Sequence, residues 1–152
     1  MQRILVSILL LLVACGAARA QQEIRLWHAL DGSPGNALEL LVQRFNDSQK
    51  KYRIAAEHKG GYERTMIAAL SAQRAGNGPH LVQVYEAGTA HMMAARTAVR
   101  PLWQVLAEGA ERLDAKSFLP AVAGYFSDDS GRLLALPFNV STPILFYNKD
   151  AF

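Results

Sequence analysis

Leu81–Val82–Gln83–Val84–Tyr85–Glu86–Ala87–Gly88–Thr89 decides how the rest of the chain is read. Leu81, Val82 and Val84 have the character of a short buried strand. The breaker cluster Gly76–Asn77–Gly78–Pro79 precedes it, and Gly88 follows where a helix can start. Glu86 then falls just past a strand end. In an open α/β sheet that is where ligands collect, because loops leaving the carboxyl ends of strands meet helix N-termini there. Taken alone, the same glutamate is better read as a residue on a solvated loop.

Working outward, Glu23–Ile24–Arg25–Leu26–Trp27 alternates polar and apolar residues and predicts a first strand, with His28 to Gly32 as the loop after it. Ser33 and Pro34 suit an N-cap and first turn. Leu38, Leu41, Val42 and Phe45 recur at i, i+3, i+4 and i+7, so they predict a helix with one apolar face. Residues 52–57 predict a second strand and Lys59–Gly60–Gly61–Tyr62 a loop. Residues 63–75 predict a second helix with Met66, Ile67 and Leu70 on its apolar face. Strand, helix, strand, helix, strand at this spacing predicts parallel βαβ units, an α/β fold with a mostly parallel sheet flanked by helices.

Beyond the central stretch, a helix is expected over 89–96 and an extended or turned path at Val99–Arg100–Pro101–Leu102. A helix is also expected within 114–125, with Pro120 tolerated only in its first turn. Ser127–Asp128–Asp129–Ser130–Gly131 predicts an exposed turn, and 133–137 and 144–147 predict two further strands.

The first 20 residues have a different character. Met1–Gln2–Arg3 and the apolar run 4–14 form the charged and hydrophobic regions of a secretory signal, too short to span a bilayer comfortably. Ala18–Arg19–Ala20 offers a small-x-small cleavage site that would make Gln21 the new N-terminus. Leu12–Val13–Ala14–Cys15 offers the alternative of an acylated anchor at Cys15. Cys15 is the single cysteine, so residues 21–152 hold no disulfide, thiol nucleophile or cysteine-ligated metal. The net charge of +3 falls to +1 without Arg3 and Arg19, as 16 basic residues become 14 against 13 acidic. That balance does not point to nucleic acid.

Four segments carry a resemblance: Leu26–Trp27–His28 with the helix over 38–46; Lys59–Gly60–Gly61–Tyr62–Glu63; Gln83–Val84–Tyr85–Glu86–Ala87–Gly88–Thr89; and Leu136–Pro137–Phe138–Asn139–Val140–Ser141–Thr142–Pro143 running into Tyr147–Asn148–Lys149–Asp150–Ala151–Phe152. Together they resemble the glycerol-phosphate branch of the extracellular solute-binding proteins, the periplasmic receptors of ATP-binding-cassette importers that include the maltose binder. The Pro–Phe–Asn and Tyr–Asn–Lys segments are shared across that superfamily, whereas Tyr–Glu–x–Gly–Thr and Lys–Gly–x–Tyr–Glu are narrower.

The resemblance implies a type II periplasmic-binding-protein-like fold, with residues 21–152 as the N-terminal lobe and the start of the crossing strands. Family members are two-lobed and well over twice this length, so it also implies a fragment with the second lobe missing. Implied with it are a monomer without cofactors or enzymatic activity, a small-molecule ligand such as sn-glycerol 3-phosphate or a glycerophosphodiester, and permease subunits in the inner membrane as partners. The family's ligand-contacting tyrosine falls on Tyr62, its glutamate on Glu86 and its serine on Ser141. A carboxylate can accept bonds from glycerol hydroxyls, and tyrosine or serine hydroxyls can donate to phosphate oxygens. Tyr62 and Glu86 would also suit a neutral sugar or other polyol.

Other residues are open to two readings. Trp27 and His28, ending the first strand, either line the cleft or complete the core. His28, His58, His80 and His91 show no pair at i+4, so a metal site is not expected. Ser141 lacks a Gly–x–Ser–x–Gly elbow, which argues against a secreted esterase. Asp128 and Asp129 lack a twelve-residue calcium pattern, and Arg44, Lys50, Lys51 and Arg53 read as a solvated face.

Overall fold

The structure, a computed structural model, describes residues 21–95, 98–141 and 144–152. The signal sequence with its cleavage motif and Cys15, the expected helical Arg96, and Thr142–Pro143 of the serine-bearing segment lie outside the described residues. The chain divides after Gln83 into two units.

The first unit is the βαβαβ arrangement expected. Strand β1 (Gln22–His28), helix α1 (Gly32–Ser48), strand β2 (Tyr52–His58), helix α2 (Tyr62–Arg74) and strand β3 (Leu81–Val82) form a parallel sheet of order β2-β1-β3. Gln22 pairs with Tyr52 and His28 with His58, while Leu26 and Trp27 pair with Leu81 and Val82. Arg25 fixes the approach to β3: its guanidinium donates to the carbonyls of Asn77 at 3.0 Å and Gly78 at 2.6 Å. Its backbone N–H donates to Nδ1 of His80 at 3.0 Å.

The expected third strand is shortened. It spans two residues, Leu81 is 50% exposed rather than buried, and Gln83 is the buried residue of the stretch. Glu86 therefore starts a 3-10 turn, Glu86–Gly88, four positions past the last strand residue.

Helix α1 begins at Gly32, after Asp31 rather than Ser33, and Gly32 turns the chain into it with φ of 54°. Of its expected apolar face, Leu38 is buried and Val42 half-buried, but Leu41 and Phe45 are exposed. Amides rather than that stripe hold its C-terminal end to β2. Asn46 Nδ2 donates to Ile54 O at 3.0 Å, and its Oδ1 accepts the Ile54 N–H at 2.8 Å. Gln49 brackets Tyr52 the same way, at 2.6 and 2.7 Å. These amides take the place of a neighbouring strand on the outer edge of β2, which would otherwise present unpaired backbone groups.

The second unit is mostly helical: α3 (Thr89–Ala94), α4 (Leu102–Glu108), a 3-10 turn at Ala115–Ser117 and α5 (Pro120–Tyr125). Met92, Phe126 and Leu133 are its buried apolar residues. The extended path expected at 99–102 holds through Pro101, whose ψ is 144°, and helix α4, for which no expectation was made, starts at Leu102. Two of its unsatisfied N-terminal donors, Leu102 N and Trp103 N, bond to Leu134 O and Leu133 O at 2.9 Å each. Pro120 occupies the first position of α5 and so shortens the helix expected over 114–125 to its second half.

The exposed turn at 127–131 forms as expected: Asp128 Oδ1 accepts N–H groups of Ser130 and Arg132, and Gly131 has φ of 76°. The two further strands do not form. Leu133 makes an isolated antiparallel bridge with Ser127, and Ile144, Leu145, Phe146 and Tyr147 are 63–91% exposed. Apolar β-formers become a strand only when another strand takes up their backbone groups in a continuous ladder. Among the described residues Leu133 and Leu134 bond instead to the turn after α5 and the start of α4, while 144–147 join no sheet.

Candidate functional site

Trp27 and His28 end β1, and Lys59–Gly60–Gly61–Tyr62 leads from the end of β2 into α2, so these residues gather at the carboxyl ends of the first unit's strands. Both β1 residues are buried, Trp27 at 9% exposed and His28 at 5%. The Lys59 ammonium sits 4.0 Å over the Trp27 ring and also pairs with Glu57. Its backbone N–H donates to His28 O at 2.9 Å, which carries the β1–β2 ladder one step beyond the strand.

The His28 ring lies 5.6 Å from that of His58, whose Nε2 is 3.3 Å from Asp31 Oδ1. Burial, and next the neighbouring His58 charge, hold the His28 pKa below its ordinary value. Buried Gln83 accepts the Ala29 N–H on its Oε1 at 3.0 Å, anchoring the loop after β1. Sequence reasoning passed over Gln83, although a polar residue inside an apolar run was the available signal.

Tyr62 opens α2 and is 38% exposed. In the second unit, half-buried Glu86 begins its 3-10 turn, and its Oε1 accepts the backbone N–H of exposed Ser141 at 3.4 Å. Of the five residues singled out by sequence, Trp27, His28 and Tyr62 thus lie in the first unit, and Glu86 and Ser141 come together within the second. Among the described residues no cluster of histidine, cysteine or carboxylate side chains is placed to hold a metal ion. No described helix is long and apolar enough to cross a membrane.

A family model described as bacterial extracellular solute-binding protein matches residues 41–152. The chain belongs to that family. Similar proteins include the sn-glycerol-3-phosphate-binding periplasmic protein UgpB of Escherichia coli K12, 45% identical over 142 residues, or 93% of this chain and 32% of that protein. The protein of the same name from Yersinia pestis bv. Antiqua is 43% identical over 151 residues, 99% of this chain and 34% of its own length. The chain therefore spans about a third of the length of these curated relatives.

Among solved structures, CpMnBP1 with mannotriose bound superposes with a TM-score of 0.59 at 24% identity, covering 74% of this chain and 27% of that one. The cyclic alpha-maltosyl-1,6-maltose binding protein from Arthrobacter globiformis gives 0.58 at 18%, with the same coverage. At these identities the solute-binding likeness concerns the fold, a parallel sheet flanked by helices. An extracellular family with periplasmic relatives supports a periplasmic place of action.

Proposed function

We propose that residues 21–152 are the N-terminal lobe of a periplasmic receptor that captures sn-glycerol 3-phosphate or a glycerophosphodiester for an ATP-binding-cassette importer. The observation that carries this reading is the meeting of Glu86, inside the narrower Tyr–Glu–x–Gly–Thr segment, with the Ser141 backbone. A carboxylate held beside a serine is suited to a ligand with vicinal hydroxyls at one end and an anion at the other. Glu86 accepts from the glycerol hydroxyls, and Tyr62 and Ser141 hydroxyls donate to a phosphate oxygen or glycerol hydroxyl. The ligand is bound and released unchanged, so the protein acts as a monomeric receptor rather than an enzyme, with the permease subunits as its partners. Residues 1–20 serve as the export signal, with lipid attachment at Cys15 as the competing form.

A neutral-sugar reading has less support. Sugars stack on open aromatic faces, whereas Trp27 is 9% exposed and has Lys59 over its ring. Calorimetry of the full-length protein with glycerol 3-phosphate, glycerol and maltose tests the choice. Preference for glycerol 3-phosphate is expected, and preference for maltose would replace the reading.

A further inference from the structure

Among the described residues Thr65 is the one fully enclosed side chain, at 0% exposure, and it stands in the first turn of α2. Its hydroxyl has no part in the helix. A threonine inside a helix ordinarily turns its hydroxyl to the carbonyl three or four positions back; here the carbonyl four back, Gly61 O, accepts the Thr65 N–H at 2.9 Å and the hydroxyl bonds outside the helix. The Thr65 hydroxyl instead shares its one proton between Gly60 O, just ahead of the helix, at 3.2 Å and His28 O, at the end of β1, at 3.5 Å. His28 O also receives the Lys59 N–H at 2.9 Å. One buried hydroxyl therefore ties the end of β1 to the loop that runs from β2 into Tyr62.

That loop needs an external constraint. Gly60 has φ of 93°, a region that glycine enters freely and leaves as freely, and Gly61 follows it directly. Two consecutive glycines would leave the backbone at the entry to α2, where Tyr62 opens the helix, a wide range of conformations. A ligand would then have to select one of them at an entropic cost.

We infer that Thr65 is a positioning residue for ligand capture: through Gly60 it fixes the loop that presents Tyr62. This rests on the reading of Tyr62 as a ligand contact.

A double-mutant cycle in the full-length protein tests it, with glycerol 3-phosphate titrations read alongside urea unfolding. Thr65→Val, which replaces the hydroxyl by a methyl, should weaken binding about tenfold, the equivalent of one lost hydrogen bond. Thr65→Ser, which keeps the hydroxyl, should restore affinity to within about threefold of the parent. In a Tyr62→Ala background, Thr65→Val should cost less than about twofold, because residues that act through one another are not additive. If Thr65→Val does not fold, Thr65→Ala, with no methyl to accommodate, takes its place in the cycle.

Lower unfolding midpoints with unchanged affinity, or a Thr65 effect that simply adds to that of Tyr62→Ala, would overturn the positioning role while leaving the function intact. A Tyr62→Ala protein that binds as tightly as the parent would overturn the Tyr62 contact and the positioning role together.

Discussion

The Glu86 carboxylate accepts the backbone N–H of Ser141 at 3.4 Å, joining residues 55 positions apart in the chain. The bond is long and the N–H is exposed, so it contributes little to stability. Its consequence is geometric: the carboxylate is held beside the serine-bearing segment and keeps lone pairs available.

If those lone pairs serve a ligand, Glu86→Ala in the full-length protein loses about 1.5–3 kcal/mol of binding, roughly a ten- to hundredfold rise in dissociation constant for glycerol 3-phosphate. Glu86→Gln keeps one acceptor and should lose less. Tyr62→Phe and Ser141→Ala remove neutral hydroxyls and should each cost about 0.5–1.5 kcal/mol. Titration calorimetry measures all four, and an unchanged affinity in a folded Glu86→Ala protein would return Glu86 to the status of a loop residue.

Asn46 carries a different prediction, about stability alone. It satisfies both backbone groups of Ile54 on the outer edge of β2. Asn46→Ala leaves a part-buried donor and acceptor without their partner, so it should destabilise the protein by about 1–3 kcal/mol and favour association through the uncovered edge. Gln43→Ala, exposed on the same helix, should stay within about 0.5 kcal/mol. Urea unfolding compares the two, and light scattering reads the association.

What the sequence disclosed follows from how local each signal is. The parallel βαβαβ order was legible because strand alternation, helical spacing and the glycine breakers at 60–61 and 76–78 are written within a few residues. Helix α4 was missed because the extended path at Pro101 was read without the helix that such a proline can introduce. The strands expected at 133–137 and 144–147 show the opposite failure: their composition is right, but pairing depends on a partner that local sequence does not specify. Tyr62, Glu86 and Ser141 stood out through resemblance. The Thr65 hydroxyl did not, because its partners His28 O and Gly60 O are backbone atoms that no residue type announces.

Export gives a prediction in mass rather than affinity. Protein recovered from the periplasm should begin at Gln21, after cleavage behind Ala18–Arg19–Ala20. Intact-mass measurement decides: a diacylglyceryl adduct on Cys15, with the protein in the membrane fraction, would establish the anchored form instead.

The last prediction concerns pH. His28 is 5% exposed, and burial lowers its pKa first, with the charge of His58 adding to the effect. Glu39, Asp31 and a hydrogen bond with the Leu30 backbone oppose these effects without cancelling them. Because the folded value lies below the ordinary 6.5 of the unfolded chain, the folded state binds fewer protons than the unfolded one in this range. The associated stability is therefore complete above 6.5 and is lost as pH falls through the folded value. Asp128 shifts the same way, lowered chiefly by the hydrogen bond from Arg132, but it acts in a lower window, below its ordinary 3.8. Urea midpoints should consequently fall between pH 7 and 5 in the parent and fall less in His28→Gln, which cannot titrate. Equal slopes for the two proteins would mean that His28 takes up its proton without opening the end of β1.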